Sequence, residues 1–287
     1  MNPIILSLRN SHERDEHIVF QEEGHKYTIL TDVNSKYTSV TTWIHSHFPQ
    51  FNADKIITRM MSGKNWNPQN KYWGMTASEI KKMWADNGAA VAGAGTNMHF
   101  RIECFMNHPL SIDGDTHEDL LRLYLSDLEE GDADKRKEEE EEDKEWCYFL
   151  KFVDDFPHLK PYRTEWLVYN EDWKLSGSID MVYENEDGTL SIYDWKRSKE
   201  IGRVNNFNEY SCTDSICHLP NTNFWHYSLQ LNTYKSILEE KYDKKIKDLY
   251  LVRLHPNNED ETYELIDVPI LQKEMSDLTK SLKQKQI

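Results

Sequence analysis

The sequence predicts an α/β protein, in which a central mixed β-sheet is flanked by helices. Three runs of alternating apolar and polar residues follow one another at 162–169, 174–183 and 190–195, with the two-residue period of a strand. Helical periodicity precedes these runs, and it returns at 228–242 shortly after them. Helical segments on both sides of a group of strands indicate a sheet that is covered by helices.

The first part of the chain predicts a small β-hairpin region followed by helices. Short strands are expected at 17–20, 26–30 and 37–41, separated by turn residues. A helix is expected over 46–61, with an interruption near its proline. A second helix is expected to begin at Thr76, because Glu79 follows it at the spacing of a capping box.

The middle of the chain is predicted to be helical. Residues 93–107 predict a small-residue turn that enters a helix, on which His99 and Glu103 share a face because they are four residues apart. The remaining elements are expected as helices at 115–128, 146–156 and 271–283, and as strands at 248–254 and 263–268. The long polar loop 202–223 predicts a mobile flap.

The composition predicts a soluble, intracellular protein without a membrane segment. The longest apolar runs are far shorter than the roughly 18 residues that a membrane helix needs, and the apolar part of the N-terminus is too short for a secretory signal. The spacing of the cysteines fits no disulfide framework, which favours a reducing compartment. The cysteines are Cys104, Cys147, Cys212 and Cys217.

The formal net charge of −16 argues against broad, non-specific adhesion to nucleic acid. Much of the excess lies at 129–145, which predicts a solvated or disordered acidic insertion; an element that repels nucleic acid is the alternative. The charge does not exclude an enzyme that acts on phosphodiesters, because a divalent metal site requires carboxylates.

Two carboxylates and a lysine lie on neighbouring predicted strands. The stretch from Asp180 to Asp194 accommodates a strand, a tight turn at Gly188 and a returning strand. Asp194 and Lys196 point to the same face, because they are two residues apart on a strand. Two acids that hold a divalent cation, beside a base that positions water, are what metal-assisted phosphodiester hydrolysis requires. A buried Lys–Asp cluster without a function is the alternative.

Gly-Ser-Ile-Asp at 177–180 and Ile-Tyr-Asp-Trp-Lys at 192–196 resemble the PD-(D/E)xK nuclease superfamily. Within it, the chain is similar to the RecB-like exonuclease branch, which includes the mitochondrial genome maintenance exonuclease and the CRISPR-associated exonucleases. Gly-Thr-Asn-Met-His at 95–99 matches the Gly-Thr-x-x-His helix of that branch, and Gln-Leu-Asn-Thr-Tyr at 230–234 matches its Gln-x-x-x-Tyr motif.

The resemblance implies a restriction-endonuclease-like core at 91–287, with the acidic insertion inside it, and a β-hairpin and helical, arch-like region at 1–90. It implies that Asp180 and Asp194 bind one or two Mg²⁺ or Mn²⁺ ions. The backbone carbonyl of Trp195 is then a further ligand, and the nitrogen of His99 favours Mn²⁺ somewhat.

The resemblance also implies the roles of residues around the metal. Lys196 orients the attacking water and offsets charge in the transition state. Gln230 and Tyr234 contact the DNA backbone or support the site from behind. Glu165 and Glu103 are further candidates, as ligands through water or as partners of the lysine. Arg197 forms, with Lys199 and Arg203, a basic edge suited to phosphate; an ordinary solvated loop is the alternative.

The chain departs from the iron–sulfur members of the branch. No cysteine follows Cys217, so no iron–sulfur cluster is expected. A zinc site could be assembled from Cys212, Cys217, His218 and His226, but their spacing matches no standard site.

The function that the resemblance implies is that of a metal-dependent DNA exonuclease, acting on single-stranded ends in replication, repair or recombination. Trp66, Trp73 and Trp84 are either packing residues or stacking partners for unpaired bases. A metal-dependent endonuclease of DNA or RNA is one alternative, and a non-catalytic nucleic-acid-binding module is another. DNA is the implied partner, and the sequence identifies neither a helicase nor a recombinase that works alongside.

Overall fold

The computed structural model describes residues 3–130, 143–205 and 207–284. Most of the acidic insertion predicted near 129–145 lies outside these residues. The described residues form two compact units, one containing the residues up to Pro49 together with those from His99 onward, the other Gln50–Met98. The predicted division between 1–90 and 91–287 differs from these units, because the N-terminal hairpin belongs to the same unit as the sheet. The division between an arch-like region at 1–90 and a nuclease core at 91–287 stays a prediction.

The described secondary structure combines strands and helices in the proportions expected of an α/β fold. The strands are β1 Ile18–Gln21, β2 Lys26–Ile29, β3 Thr38–Ser39, β4 Lys160–Asn170, β5 Leu175–Glu184, β6 Leu190–Lys196, β7 Ile246–Arg253 and β8 Glu264–Asp267. The helices are α1 Ile5–Arg9, α2 Val40–His45, α3 Ala53–Met61, α4 Ala77–Met106, α5 His117–Glu130, α6 Lys144–Asp155, α7 Asn223–Lys241 and α8 Gln272–Gln284. Short 3₁₀ turns occupy Glu13–His17 and Asp214–Ile216.

The central sheet is mixed, as the sequence predicts, and its strand order is β3–β5–β6–β7–β8, with β4 also paired to β5. Strands β4, β5 and β6 form an antiparallel meander, whereas β6 and β7 are parallel and are joined through α7. The predicted turn between β5 and β6 contains Gly188, whose φ of +76° is a conformation that glycine adopts without strain. The small hairpin of β1 and β2 is separate from this sheet.

Helices pack on the sheet through two groups of hydrophobic side chains. On one side, α2, α7 and α8 contribute Trp43, Leu229 and Met275 to a core that also includes Ile192 and Leu251 of the sheet. Elsewhere α6 packs Phe149 and Phe152 against the indole of Trp195, with ring centroids 5.7 and 5.6 Å apart. The strand that carries the predicted catalytic residues is therefore buried along most of its length.

The unit Gln50–Met98 is helical and is fixed by local signals. Asn52 caps α3 by accepting from the Lys55 N–H at 2.9 Å. The predicted capping box at the start of α4 is confirmed, since the Thr76 N–H donates to Glu79 and the Glu79 N–H donates to Thr76. The indole of Trp84 donates to the Tyr72 hydroxyl at 3.0 Å.

Three local predictions are wrong. The helix expected over 46–61 begins only at Ala53, after a separate helix has ended at His45. The strand expected at 37–41 is only two residues long, because Ser39 caps a helix that begins at Val40. The turn expected near Gly93 is absent, and α4 runs without interruption from Ala77 to Met106. Each glycine in a helix costs only about 1 kcal/mol relative to alanine, and the surrounding residues offset this because they include many good helix formers.

Residues 211–219 of the long loop after β6 are anchored, although the length of the loop predicted a mobile flap. The hydroxyl of Ser211 and the N–H of Cys212 both donate to the carbonyl of His47, at 2.7 and 2.9 Å. Ile216 and Leu219 are buried in the core, and the short turn Asp214–Ile216 contacts α8. Residues 211–219 are therefore part of the packed structure. Within the described residues, no helix is long and apolar enough to cross a membrane.

A buried histidine makes the stability of this fold depend on pH. His117 is fully buried, its Nε2 lies 2.8 Å from the Tyr183 hydroxyl, and burial lowers its pKa from 6.5 to about 3. Its neutral form stabilises the fold fully above pH 6.5, and this contribution is lost as the pH falls towards 3. Replacing His117 by Gln should reduce the loss of unfolding free energy between about pH 7.5 and pH 5.5 by about 1.4 kcal/mol.

Denaturant unfolding at the two pH values measures this difference. The exposed His218, replaced by Gln, is the matched control and should leave the pH dependence close to that of the unmodified protein. The same pH dependence in the His117 variant and the unmodified protein would contradict the assignment.

Candidate active site

The site lies where β5 and β6 separate. Strand β5 pairs with β3 at Leu175 and Ser176 and with β6 from Met181 onward, so that residues 177–180 lie between the two pairings. At this point the Asp180 carboxylate accepts the N–H of Trp195 at 3.1 Å. The Asp180 side chain thus takes the place of a backbone carbonyl as the acceptor of this N–H. The bond orients the carboxylate towards the gap between β5 and β6, which we call the opening.

Three side chains converge at this opening. His99, from the last part of α4, has its Nδ1 3.6 Å from Glu165 Oε1 on β4 and 3.6 Å from Asp180 Oδ2 on β5. One potential ligand atom from each of the three residues lies within 4.8 Å of the others. The Nε2 of His99 also lies 3.0 Å from the carbonyl oxygen of Trp195. The structure therefore brings together His99, Asp180 and the Trp195 carbonyl, which were predicted as ligands, with Glu165, which was expected to act through water or as a partner of the lysine. Asp194, the other predicted ligand, is not part of the group of three side chains.

Glu165 has an unusual backbone for a strand residue. Its φ is +42°, in the left-handed region that non-glycine residues rarely adopt, at a cost of about 1–3 kcal/mol. Its carboxylate accepts a hydrogen bond from the hydroxyl of Ser178 at 2.9 Å. The conformation and this bond together place the carboxylate beside His99, and strained residues of this kind concentrate at functional sites.

The acidic surroundings make His99 a cation. Burial alone lowers the pKa of His99, but Asp180 and Glu165 outweigh it and raise the pKa to about 9. Glu103, one helical turn further along α4, has its pKa raised to about 7 by burial and by the negative charge of Glu165. The charged imidazole lies among the same oxygen atoms that would surround a bound cation.

Asp194 and Lys196 form a buried ion pair behind this group. Asp194 is only 3% exposed, and its Oδ2 lies 2.5 Å from Lys196 Nζ. Burial raises the pKa of Asp194 to about 7, against the opposing effect of Lys196. Burial lowers the pKa of Lys196, but Asp194 and Asp180 outweigh it, and the net pKa is raised. The side chain of Lys196 is therefore an ammonium group, which also lies 4.5 Å from the ring centre of Tyr227.

The predicted residues of α7 support the site by packing. Tyr234 is buried and lies against Gly177, where a Cβ atom would come within 2.7 Å of the tyrosine hydroxyl. The side-chain amide of Gln230 donates to that hydroxyl in a long hydrogen bond, with a nitrogen–oxygen distance of 3.5 Å. The glycine of the Gly-Ser-Ile-Asp stretch is thus required because the ring of Tyr234 occupies the space of a side chain.

Arg197 forms an ion pair with Glu145 of α6. Its Nε lies 2.6 Å from Glu145 Oε1, and both side chains are mostly buried. Glu145 offsets the charge that the basic edge would present at this position. Lys199 lies further along the same segment, where its carbonyl accepts from Arg253 at 2.9 Å.

Sequence reasoning missed two residues of the site, Tyr227 and Ser178. Tyr227 lies on α7 three residues before Gln230 and seven before Tyr234, so the helical period could have identified it. Ser178 gave no signal, because its role depends on the pairing of β4 with β5. The four residues considered for zinc do not converge. His226 bonds Asn221, and His218 lies against Glu274.

The donor set fits a divalent cation. Carboxylate oxygens with one imidazole nitrogen and a carbonyl oxygen suit Mg²⁺ and Mn²⁺, and they differ from the thiolate-rich sets of structural zinc. The group of His99, Glu165 and Asp180 is the one set of three such side chains found within the described residues. The observed convergence is therefore what a metal centre requires.

A comparison with protein families agrees with this geometry. A sequence model described as the PD-(D/E)XK nuclease superfamily matches residues 78–286. The matched stretch is well over half of the chain, and it contains all the site residues from His99 to Tyr234. No curated protein matches the chain.

The contact between Gly177 and Tyr234 can be tested through stability. Replacing Gly177 by Ala should lower the unfolding free energy by about 1–3 kcal/mol, because the new Cβ would overlap the tyrosine ring. Denaturant unfolding measures this effect. Gly88→Ala is the control, since nothing lies within 4 Å of the new atom, and it should be neutral or stabilising.

A double variant identifies the cause. If the overlap is responsible, adding Tyr234→Leu to Gly177→Ala should cost less than the sum of the two single changes. Strict additivity would show that the tyrosine ring is not what excludes a side chain at position 177.

Proposed function

Because the chain belongs to the PD-(D/E)XK nuclease superfamily, we propose that it is a metal-dependent DNA exonuclease that acts on single-stranded ends. The single observation that carries the proposal is the convergence of His99, Glu165 and Asp180 beside the buried Asp194–Lys196 pair. Members of this superfamily hydrolyse nucleic acids with divalent metals. The RecB-like motifs around His99 and Tyr234 support the exonuclease branch, and DNA replication, repair or recombination is the context that this branch suggests.

The residues that would hold Mg²⁺ or Mn²⁺ are Asp180, Glu165 and His99, with the Trp195 carbonyl and Asp194 adjoining them. The bound ion would activate water and offset the charge of the phosphate. The raised pKa of His99, about 9, means that this residue must give up a proton before its nitrogen can act as a ligand.

Lys196 acts in this proposal as a fixed cation. Its pKa is raised by Asp194 and Asp180, so it does not accept a proton from water at neutral pH. Its ammonium can instead donate a hydrogen bond to the attacking water and stabilise negative charge that develops on the phosphate. Asp194 and the ring of Tyr227 hold it in place for this purpose.

A preference for unpaired strands is supported by the aromatic residues of the helical unit. Trp66 and Trp73 lie with their ring centres 5.6 Å apart, and Trp73 is 47% exposed. Exposed indole rings bind unpaired bases by stacking, whatever the base sequence. The net charge of −16 argues that binding depends on such contacts more than on a broad basic surface.

The role of Lys196 gives a direct test of the proposed chemistry. Lys196→Ala should lower the rate of metal-dependent DNA hydrolysis by at least about 100-fold, because the ammonium that offsets the developing charge is removed. Labelled single-stranded DNA, incubated with Mg²⁺ or with Mn²⁺, reports the rate. Lys247→Ala is the matched control, since this lysine lies on β7 and pairs with Asp187 near the β5–β6 turn.

Thermal unfolding of both variants shows whether the fold is retained. Unchanged hydrolysis by a folded Lys196→Ala protein would remove this residue from the chemistry. Hydrolysis that persists after the metal is chelated would contradict the metal-dependent mechanism itself.

The exonuclease proposal is tested by removing the strand ends. Linear single-stranded DNA should be degraded to short products, whereas a circle of the same sequence should stay intact over the same period. Gel analysis of both substrates measures this difference, and blocked 5′ and 3′ ends give the polarity. Equal cleavage of the circle would favour an endonuclease, and cleavage of RNA in preference to DNA would reassign the substrate.

A further inference from the structure

The N-terminal hairpin carries a cluster of three aromatic rings. Phe20 on β1 is paired across the strands with Tyr27 on β2, and their ring centres are 4.8 Å apart. His25, at the turn, lies 5.0 Å from Phe20 and 5.8 Å from Tyr27. His25 is exposed, whereas Phe20 and Tyr27 are partly exposed. We call Phe20, His25 and Tyr27 the hairpin ring cluster.

The base of the hairpin is anchored to the central sheet. Ile18 and Ile29 form the next cross-strand pair on the same face of the hairpin, and both are buried against Tyr169 of β4. Residues two apart on a strand share a face, so Phe20 and Tyr27 continue the face that packs on β4. Tyr27 and Leu167 pack on the same small core. Because Leu167 is two residues from Glu165 on β4, this face of the hairpin lies near Glu165.

Tyr27 also adjoins the candidate metal group electrostatically. Burial first, and then the negative charges of Glu165 and Asp180, raise the pKa of its phenol to about 12. The geometric basis is the packing of Tyr27 and Leu167 on the same small core, which lays one end of the hairpin ring cluster along the stretch of β4 that carries Glu165. The other end of the cluster, at His25, is exposed.

The chemistry of the hairpin favours bases over phosphates. Glu22 and Glu23 lie in the turn beside the rings and are exposed. The exposed Lys26 offsets only one of their two charges, so the net negative charge disfavours a phosphate backbone. The ring faces carry no net charge and can stack on any unpaired base. A strand end whose phosphate lies at the metal group would therefore be held at the hairpin through its bases.

We propose that the hairpin ring cluster is a stacking platform for the terminal unpaired bases of the strand that is cut at the adjoining site. The inference rests on the proposed function and deepens it, because it assigns the recognition of a single-stranded end to named residues. Phe20 and Tyr27 are then residues that position the substrate, and they take no part in the chemistry.

The experiment compares the loss of a ring with the loss of a base. Binding is measured by fluorescence anisotropy with Mn²⁺ and Lys196→Ala protein, using short single-stranded DNA whose terminal nucleotides are either intact or abasic. Phe20→Leu keeps an apolar side chain and should weaken binding of the intact strand by about tenfold. It should leave binding of the abasic strand unchanged, because the stacking partner is already missing.

Matched variants separate the ring from its surroundings. Val19→Ala changes an exposed residue on the opposite face of the same strand and should bind like the parent protein. Tyr27→Phe keeps the ring and should retain most of the affinity, whereas Tyr27→Leu should lose it. Since stacking is not a charge interaction, the effect of Phe20→Leu should be equal at low and at moderate salt.

Two outcomes overturn the platform. If Phe20→Leu, shown to be folded by its melting temperature, weakens both strands equally or weakens neither, the rings do not stack on terminal bases. These results leave the proposed function standing as long as the protein with Lys196 intact hydrolyses DNA. Absence of hydrolysis of any nucleic acid by that protein is the separate result that would remove the proposed function.

Discussion

The hydrogen bond from the Trp195 N–H to the Asp180 carboxylate is the interaction on which the site depends. It occurs where β5 and β6 stop pairing through their backbones, so it both ends the regular ladder and fixes the acid that faces the opening. The carbonyl of the same residue meets His99 from α4. A single peptide segment thus connects two strands and a helix at the place where a cation would be held.

The charges around this segment are arranged in two layers. The outer layer consists of Glu165, Asp180 and His99, and the two carboxylates raise the pKa of the imidazole to about 9. The inner layer is the Asp194–Lys196 pair, which is buried and compensates itself. Burying such a pair costs desolvation free energy that a hydrophobic pair would not. This cost supports the role in phosphodiester hydrolysis that we propose for the pair.

Local signals predicted most of the fold. The capping box at Thr76, the glycine turn at Gly188 and the alternating strands around Asp180 each depend on residues close in sequence, and the structure has all three. The sequence did not predict that α4 is continuous, because Gly93 and its small neighbours are typical of a turn. Once a helix has formed, however, it extends wherever each added residue has a small net preference for the helical conformation. The prediction at Gly93 failed because the preference of glycine for a turn competed with the preference of the surrounding residues for a helix.

The sequence predicted the types of side chain at the site but not all of the contacts between them. The reason is that some of these contacts join residues that are far apart in the sequence. Asp194 and Lys196 are neighbours on one strand, so their pairing followed from the two-residue period. Glu165 enters the site through its pairing with β5 and through a left-handed backbone, neither of which the sequence reveals. The hairpin ring cluster is further still, because its position depends on the packing of Ile18 and Ile29 on Tyr169. The residues to which we assign the reaction are therefore recognisable from their spacing, whereas the residues to which we assign substrate recognition come together only when distant segments pack.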